Sequence, residues 1–225
     1  VCNLVEYALF RSGPLASNVF EATGFIRTQP GLARPDVQVV FQAARRNRNT
    51  FPFPLGHGFA ISLVGLYPQS RGRVRLASQD PRAAPLVDPQ LLSHPDDVET
   101  LLRGLKIGRQ VSRAPSFARY RAWEVQPGPS VQEDAALIEY IRRAAATVHH
   151  PCGTCRMGPD AQAVVNERLE VHGIAALRVA DAAVFPRLVG GNTNAAVVMI
   201  AEKAADMVRG LPAPRPLDVP LARTA

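Results

Sequence analysis

The sequence predicts an α+β fold with an α/β end: an antiparallel sheet covered by helices, then one strand and one helix of a doubly wound layer. Three observations predict it. Short apolar or alternating runs punctuated by Pro and Gly occupy the chain up to Leu92. Two segments with apolar residues at helical spacing follow. The last third carries a strand-like run, a Gly-Gly crossover and an amphipathic helix.

Val1 to Arg11 reads as a short helix with Leu4, Val5, Ala8 and Leu9 on one face, stopped by Ser12-Gly13-Pro14. Gly24 to Thr28 and Val37 to Gln42 read as strands, and Phe59 to Tyr67, an apolar run closed by Pro68, as a buried one. Arg71-Gly72 then turns the chain into Arg73-Val74-Arg75-Leu76. Its alternation points Val74 and Leu76 inward and makes an antiparallel hairpin the natural product. Ser93, with Pro95 and Asp96 behind it, starts a helix with Val98, Leu101, Leu102 and Leu105 on one stripe. A second helix follows the capping box Ser130-x-x-Glu133, buries Leu137, Ile138 and Ile141, and runs to about Ala146. Both are expected to cover the sheet. Leu177 to Asp181 reads as a strand ending in a carboxylate. Asn194 to Val208 reads as a helix with Val197, Val198, Ile200, Ala201, Ala204 and Ala205 inward.

A chain of 225 residues, 47% of them hydrophobic, is long enough to bury a sizeable core. The pattern divides it into residues 1–146, 147–210 and a proline-rich tail, 211–225, expected to be disordered. No run reaches the length of about 20 apolar residues that a membrane helix needs, and the first residues lack the pattern of a secretory signal. The net charge of +7 comes almost wholly from arginine, Lys106 and Lys203 being the only lysines. The densest basic run, Arg45-Arg46-Asn47-Arg48, reads as a solvated loop, so no nucleic-acid partner is expected. Three cysteines, Cys2, Cys152 and Cys155, cannot all pair, and their sparse use points to a reducing compartment such as the cytoplasm.

The chemistry concentrates in His149-His150-Pro151-Cys152-Gly153-Thr154-Cys155. Cys-x-x-Cys allows a redox dithiol or half a zinc site. A structural zinc wants four convergent ligands, however, and no second Cys-x-x-Cys exists, while His94 and His172 lie at unrelated spacings. Arg156 excludes covalent haem attachment, which needs histidine there. The remaining reading makes His150 a general base, its backbone held by Pro151 and by the Gly153-Thr154 turn. Downstream, Gly190-Gly191 permits a close turn, and Asn192-Thr193-Asn194 delivers a helix N-terminus whose N–H groups suit an anionic partner. Either asparagine would also serve as a plain helix cap. Phe51, Phe53, Phe59, Tyr120 and Trp123 are better accounted for as packing residues than as a pocket lining.

His150-Pro-x-Gly-Thr-Cys-Arg-Met-Gly158, Leu177-Arg-Val-Ala-Asp-Ala-Ala-Val-Phe-Pro186, Gly190-Gly-Asn-Thr-Asn-Ala195 and Ile200-Ala-Glu-Lys-Ala-Ala-Asp206 occur jointly and in order. This series resembles the C-terminal region of the glucose-methanol-choline (GMC) oxidoreductases, FAD-dependent alcohol dehydrogenases and oxidases, and its His-Asn version resembles the choline dehydrogenase-like branch more than the sugar oxidases. Ser70 to Ser78 with Asp80-Pro81, and Gly13 to Asn18, resemble further family segments, so the likeness spans about Leu4 to Val208. The resemblance implies FAD as cofactor and oxidation of a small alcohol by hydride transfer to flavin. His150 matches the family's catalytic histidine and Asn192 the second member of its catalytic pair. Asp181 and Ala182 match positions near the ribityl and diphosphate part of FAD, and Thr193 and Asn194 positions beside the flavin pyrimidine edge. No metal site is implied.

The family's opening Gly-x-Gly-x-x-Gly turn is missing. The nearest string, Gly56-His57-Gly58-Phe59-Ala60-Ile61, lacks the third glycine and runs into a strand. The expectation is therefore a C-terminal portion whose partner is an N-terminal FAD-binding fragment. The alternatives are a non-catalytic remnant or split-enzyme subunit unable to hold FAD alone, and a metal or thiol protein built on Cys152 and Cys155.

Overall fold

A computed structural model of the chain describes residues 2–43, 58–213 and 215. The basic run at Arg45–Arg48, the loop with Phe51 and Phe53, Gly56-His57, and the tail beyond residue 213 except Arg215 lie outside the described residues. Two compact units are present, Val1–His149 and His150–Ala225.

The first unit opens with α1 (Cys2–Phe10) and a three-residue 3₁₀ turn at Pro14–Ala16. The apolar face expected of α1 is uncovered, since Leu4, Val5 and Leu9 are all exposed. Strands β1 (Phe20–Ile26), β2 (Val37–Gln42) and β3 (Ala60–Gly65) form an antiparallel sheet in that order. Val39 stands opposite Gly24 on one side and Leu63 on the other. β1 thus begins four residues before the expected start at Gly24, with a register irregularity between Phe20 and Ala22.

Helix α2 (Pro95–Ser112) covers the face of this sheet that carries Val37 and Leu63. Two glycines one helical turn apart let it approach. A Cβ on Gly104 would stand 3.3 Å from Val37, and one on Gly108 would stand 3.2 Å from Leu63. Helix α3 (Asp134–Ala144) packs on α2, and Leu92, Val98, Leu102, Leu137 and Ile141 form the core between them. Each such buried aliphatic side chain contributes about 1.5–3 kcal/mol of burial free energy. Arg109, almost fully buried on α2, ties the Glu124–Val131 connection to the helix by donating to Glu124 Oε1 and to the Val131 carbonyl.

The helix starts differ from expectation. The α2 cap is His94, whose Nδ1 accepts from the Asp96 N–H, because Ser93 lies one residue too early. At α3 the cap is Glu133, which makes no side-chain cap bond, so the Ser130–Glu133 capping box does not form and the helix ends at Ala144. The hairpin also pairs otherwise. β4 (Arg73–Arg75) joins β5 (Leu86–Asp88) in a separate two-stranded ribbon, while β3 pairs with β2. Val74 is exposed and so is Leu76 beyond the end of β4, contrary to the inward placement expected of them. Tyr120 and Trp123 are also exposed rather than packed, whereas Phe59 stacks on Phe117 beside Phe41.

In the second unit the strand expected at Leu177–Asp181 is replaced by irregular chain. Among the described residues only isolated bridges form, such as Glu170 with Arg178 and Val165 with Val171. Helix α4 (Asn194–Arg209) packs Ile200 and Ala204 into a core with Val165, Leu169, Val184 and Phe185, flanked by Val197 and Met207. Its buried stripe is narrower than expected, leaving Val198, Ala201 and Ala205 exposed. No helix among the described residues is long and apolar enough to cross a membrane.

Candidate active site

All six residues singled out in the sequence lie in the second unit. The chain enters through Val148 and His149, both in the left-handed region at φ 52° and 64°, a costly conformation for a β-branched residue such as valine. From His150 onward the segment runs extended along a 3₁₀ turn at Ala182–Val184. The N–H groups of Gly153, Cys155 and Met157 donate to the carbonyls of Ala182, Ala183 and Val184 at 3.1, 2.9 and 2.9 Å. Asp181 closes that turn, its Oδ1 accepting from the Ala183 N–H at 2.6 Å. Asp181 and Ala182 therefore brace the segment that carries His150.

Gly153 allows the segment to lie this close. Its φ is +86°, and a Cβ would stand 3.2 Å from the Phe185 carbonyl oxygen. Beyond it the Arg156 guanidinium forks onto the Asp160 carboxylate at 2.9 and 2.6 Å. That hydrogen bond, with a second from the Gln162 N–H, lowers the Asp160 carboxyl from its ordinary 3.8 to about 2. Cys152 packs against the core of the unit, and no group of three or more His, Cys, Asp or Glu side chains able to hold a metal occurs among the described residues.

His150 itself is gripped through both ring nitrogens. Asn192, 42 residues on, donates from Nδ2 to Nε2 at 3.0 Å. On the other side Nδ1 lies 2.9 Å from Thr193 Oγ1. A neutral imidazole has one donor and one acceptor, so the tautomer that matches Asn192 Nδ2 at Nε2 is the one with its proton on Nδ1, toward Thr193. Asn192 is exposed and His150 half-buried, which puts the basic nitrogen at an accessible edge.

Thr193 is the N-cap of α4, its carbonyl accepting from the Val197 N–H, yet its side chain makes no cap bond. Its hydroxyl was the element missed by sequence reasoning, which placed the residue beside a cofactor. A threonine just ahead of an amphipathic helix signals a cap, and nothing in the sequence redirects it to a ring 43 residues earlier. Asn194 is exposed at the first helical position. The structure thus brings His150, Asn192 and Thr193 into contact, sets Asp181 and Ala182 behind the histidine segment, and leaves Asn194 at the start of α4. Chemically, the centre is a proton acceptor with a hydrogen-bond donor beside it.

Comparison with known proteins gives the family. The family model described as GMC oxidoreductase matches residues 68–201. An alcohol dehydrogenase [acceptor] of Pseudomonas putida is 42% identical over 205 residues, covering 91% of this chain and 37% of that protein. The oxygen-dependent choline dehydrogenase 1 of Chromohalobacter salexigens is 42% identical over 207 residues, with the same coverage of 91% and 37%. Among solved structures, pyridoxine 4-oxidase from Mesorbium loti superposes with a TM-score of 0.78 at 30% identity, covering 87% of this chain and 39% of that one. A formate oxidase of Aspergillus oryzae gives 0.81 at 25% identity, covering 93% and 41%.

The chain belongs to the GMC oxidoreductase family. It spans 37% of the length of the curated relatives named above.

Proposed function

We propose that this chain carries the proton-accepting side of an enzyme that oxidises an alcohol to an aldehyde or ketone with FAD, His150 being the general base. The observation that carries the reading is the double grip on the imidazole, which leaves Nε2 basic and next to Asn192. The relatives named for alcohol and choline support a hydroxyl-bearing substrate.

The residues present fit one side of FAD. Asp181 is exposed and uses Oδ1 alone for Ala183, so its carboxylate suits ribityl hydroxyls, with Ala182 beside it. The start of α4 at Thr193 and Asn194 offers main-chain N–H groups and the positive end of a helix to an electron-rich pyrimidine edge. The Gly-x-Gly-x-x-Gly cradle for the ADP half is absent from the 225 residues. That role falls to an N-terminal FAD-binding segment, which the reading counts as this chain's partner.

When bound, FAD supplies the acceptor for the carbinol hydride. With an alcohol seated against both, Asn192 turns its Nδ2 donor from His150 Nε2 to the hydroxyl oxygen, and the released Nε2 takes the hydroxyl proton as that oxygen gains negative charge, holding the carbinol carbon in line. Thr193 continues to accept from Nδ1 while the ring is charged.

The test is His150→Ala in the complete, FAD-loaded protein, mixed anaerobically with choline or a panel of primary alcohols. Flavin reduction is expected to slow by about 10²- to 10⁴-fold with FAD content unchanged. Reduction at the parental rate removes His150 from the role.

A further inference from the structure

We propose that Thr193 is a positioning residue for this reaction. Its hydroxyl oxygen accepts the Nδ1 proton of His150 and so fixes the imidazole in the tautomer that presents a bare Nε2 to Asn192 and the substrate hydroxyl. The inference rests on the reading of His150 as base and assigns the hydroxyl of Thr193 to the histidine instead of the flavin.

Three observations carry it. The Oγ1 to Nδ1 distance is 2.9 Å, and Thr193 is only 7% exposed, so the contact is shielded from competing water. A threonine at an N-cap ordinarily turns its hydroxyl onto the N–H two or three residues ahead, and such a bond is worth about 1 kcal/mol. Thr193 has helical φ and ψ of −78° and −18°, outside that cap geometry, and makes no such bond. The hydroxyl is directed instead at the ring. Finally, the amide nitrogen of Asn192 faces Nε2. If the threonine hydroxyl donated to Nδ1, the ring proton would sit on Nε2 and meet the Asn192 N–H, donor against donor. With the carboxamide turned as it is, Nδ2 toward the ring, acceptance by Oγ1 is the arrangement that satisfies both contacts.

The two contacts set the tautomer jointly: a carboxamide rotated to present Oδ1, with the Thr193 hydroxyl donating to Nδ1, would place the proton on Nε2. In that state the lone pair points at Thr193 and the substrate-side nitrogen cannot act as a base. A buried hydroxyl on a β-branched side chain, stiff about χ1, holds its acceptor in place at small entropic cost.

The experiment uses the complete, FAD-loaded protein and its Thr193→Val and Thr193→Ser variants. Nitrogen-15 NMR of histidine-labelled protein, with the signal of residue 150 identified by its loss in His150→Gln, is expected to show the proton on Nδ1. Thr193→Val should shift it to Nε2, while Thr193→Ser should keep it on Nδ1. In parallel, the limiting rate of flavin reduction should fall by about 10- to 100-fold in Thr193→Val, the loss seen when a metal-bound imidazole loses its orienting partner. The alcohol concentration at half-saturation, the FAD content and the melting temperature should stay near the parent, and Thr193→Ser should restore the rate. A proton on Nε2 in the parent overturns the proposal without any variant. So does a Thr193→Val protein that reduces at the parental rate, or one whose main defect is lost FAD. Parental reduction in His150→Ala would instead sink the general-base reading and leave the tautomer result standing.

Discussion

The carbonyl oxygen of Phe185 lies 3.2 Å from the point where a Cβ on Gly153 would stand, and Gly153 holds a φ of +86°. A side chain at this position would be strained and would press on that carbonyl, where the histidine-bearing segment lies on the Ala182–Val184 turn.

Gly153→Ala should therefore destabilise the protein. An alanine in the left-handed region costs about 1–2 kcal/mol, and the carbonyl contact adds to it. Urea denaturation is expected to show a lower midpoint, and alcohol-driven flavin reduction should weaken as His150 is displaced. An unchanged midpoint would mean that the segment shifts freely, and the bracing role of the turn would be lost.

Asn192→Ala removes the donor beside the basic nitrogen. If Asn192 stabilises the developing charge on the alcohol oxygen, flavin reduction should slow by about 10²-fold, the size seen when one such donor is deleted. Because Asn192 is exposed and makes its side-chain bond to His150, folding and FAD content should be unaffected. Anaerobic stopped-flow spectroscopy reads the rate. A drop confined to FAD content would assign Asn192 to the cofactor instead.

The Arg156–Asp160 fork gives the protein a pH signature. The Asp160 carboxyl is lowered to about 2 from 3.8, first by the Arg156 hydrogen bond and then by the Gln162 N–H. The unfolded chain therefore takes up the proton more readily. The stabilisation from the fork is complete above the unfolded value and is lost as pH falls toward the folded one. Asp160 is exposed, so the effect is small and screened by salt. Urea midpoints at about pH 5 and about pH 3 should differ less in Asp160→Asn than in the parent. Equal differences in the two proteins would remove the fork from the acid response.

Local pattern located most elements. β2 lies at Val37–Gln42 as its apolar alternation implies, and Asn194 begins the last helix. Pairing was harder to read. Arg73–Arg75 alternates as a strand should, but alternation is silent about partners, and β5 at Leu86–Asp88 carries too short a pattern to declare itself. Leu177–Asp181 has the composition of a strand without a neighbouring strand, among the described residues, to complete a ladder. Caps failed for a similar reason. Ser93 and Ser130 have the right chemistry, but the helices begin after His94 and Glu133, where the chain geometry rather than cap preference sets the first turn.

In the candidate site, joint motif order put His150 and Asn192 forward together. Their contact at 3.0 Å agrees with that pairing. The destination of the Thr193 hydroxyl was not legible, because a side chain's choice between its own helix and a distant ring is made in three dimensions.

Asn192 and Thr193 are consecutive, and they clasp opposite nitrogens of one ring. A single peptide unit thus works as both jaws of a clamp. A displacement of the chain where it enters α4 would disturb both contacts on the imidazole at once.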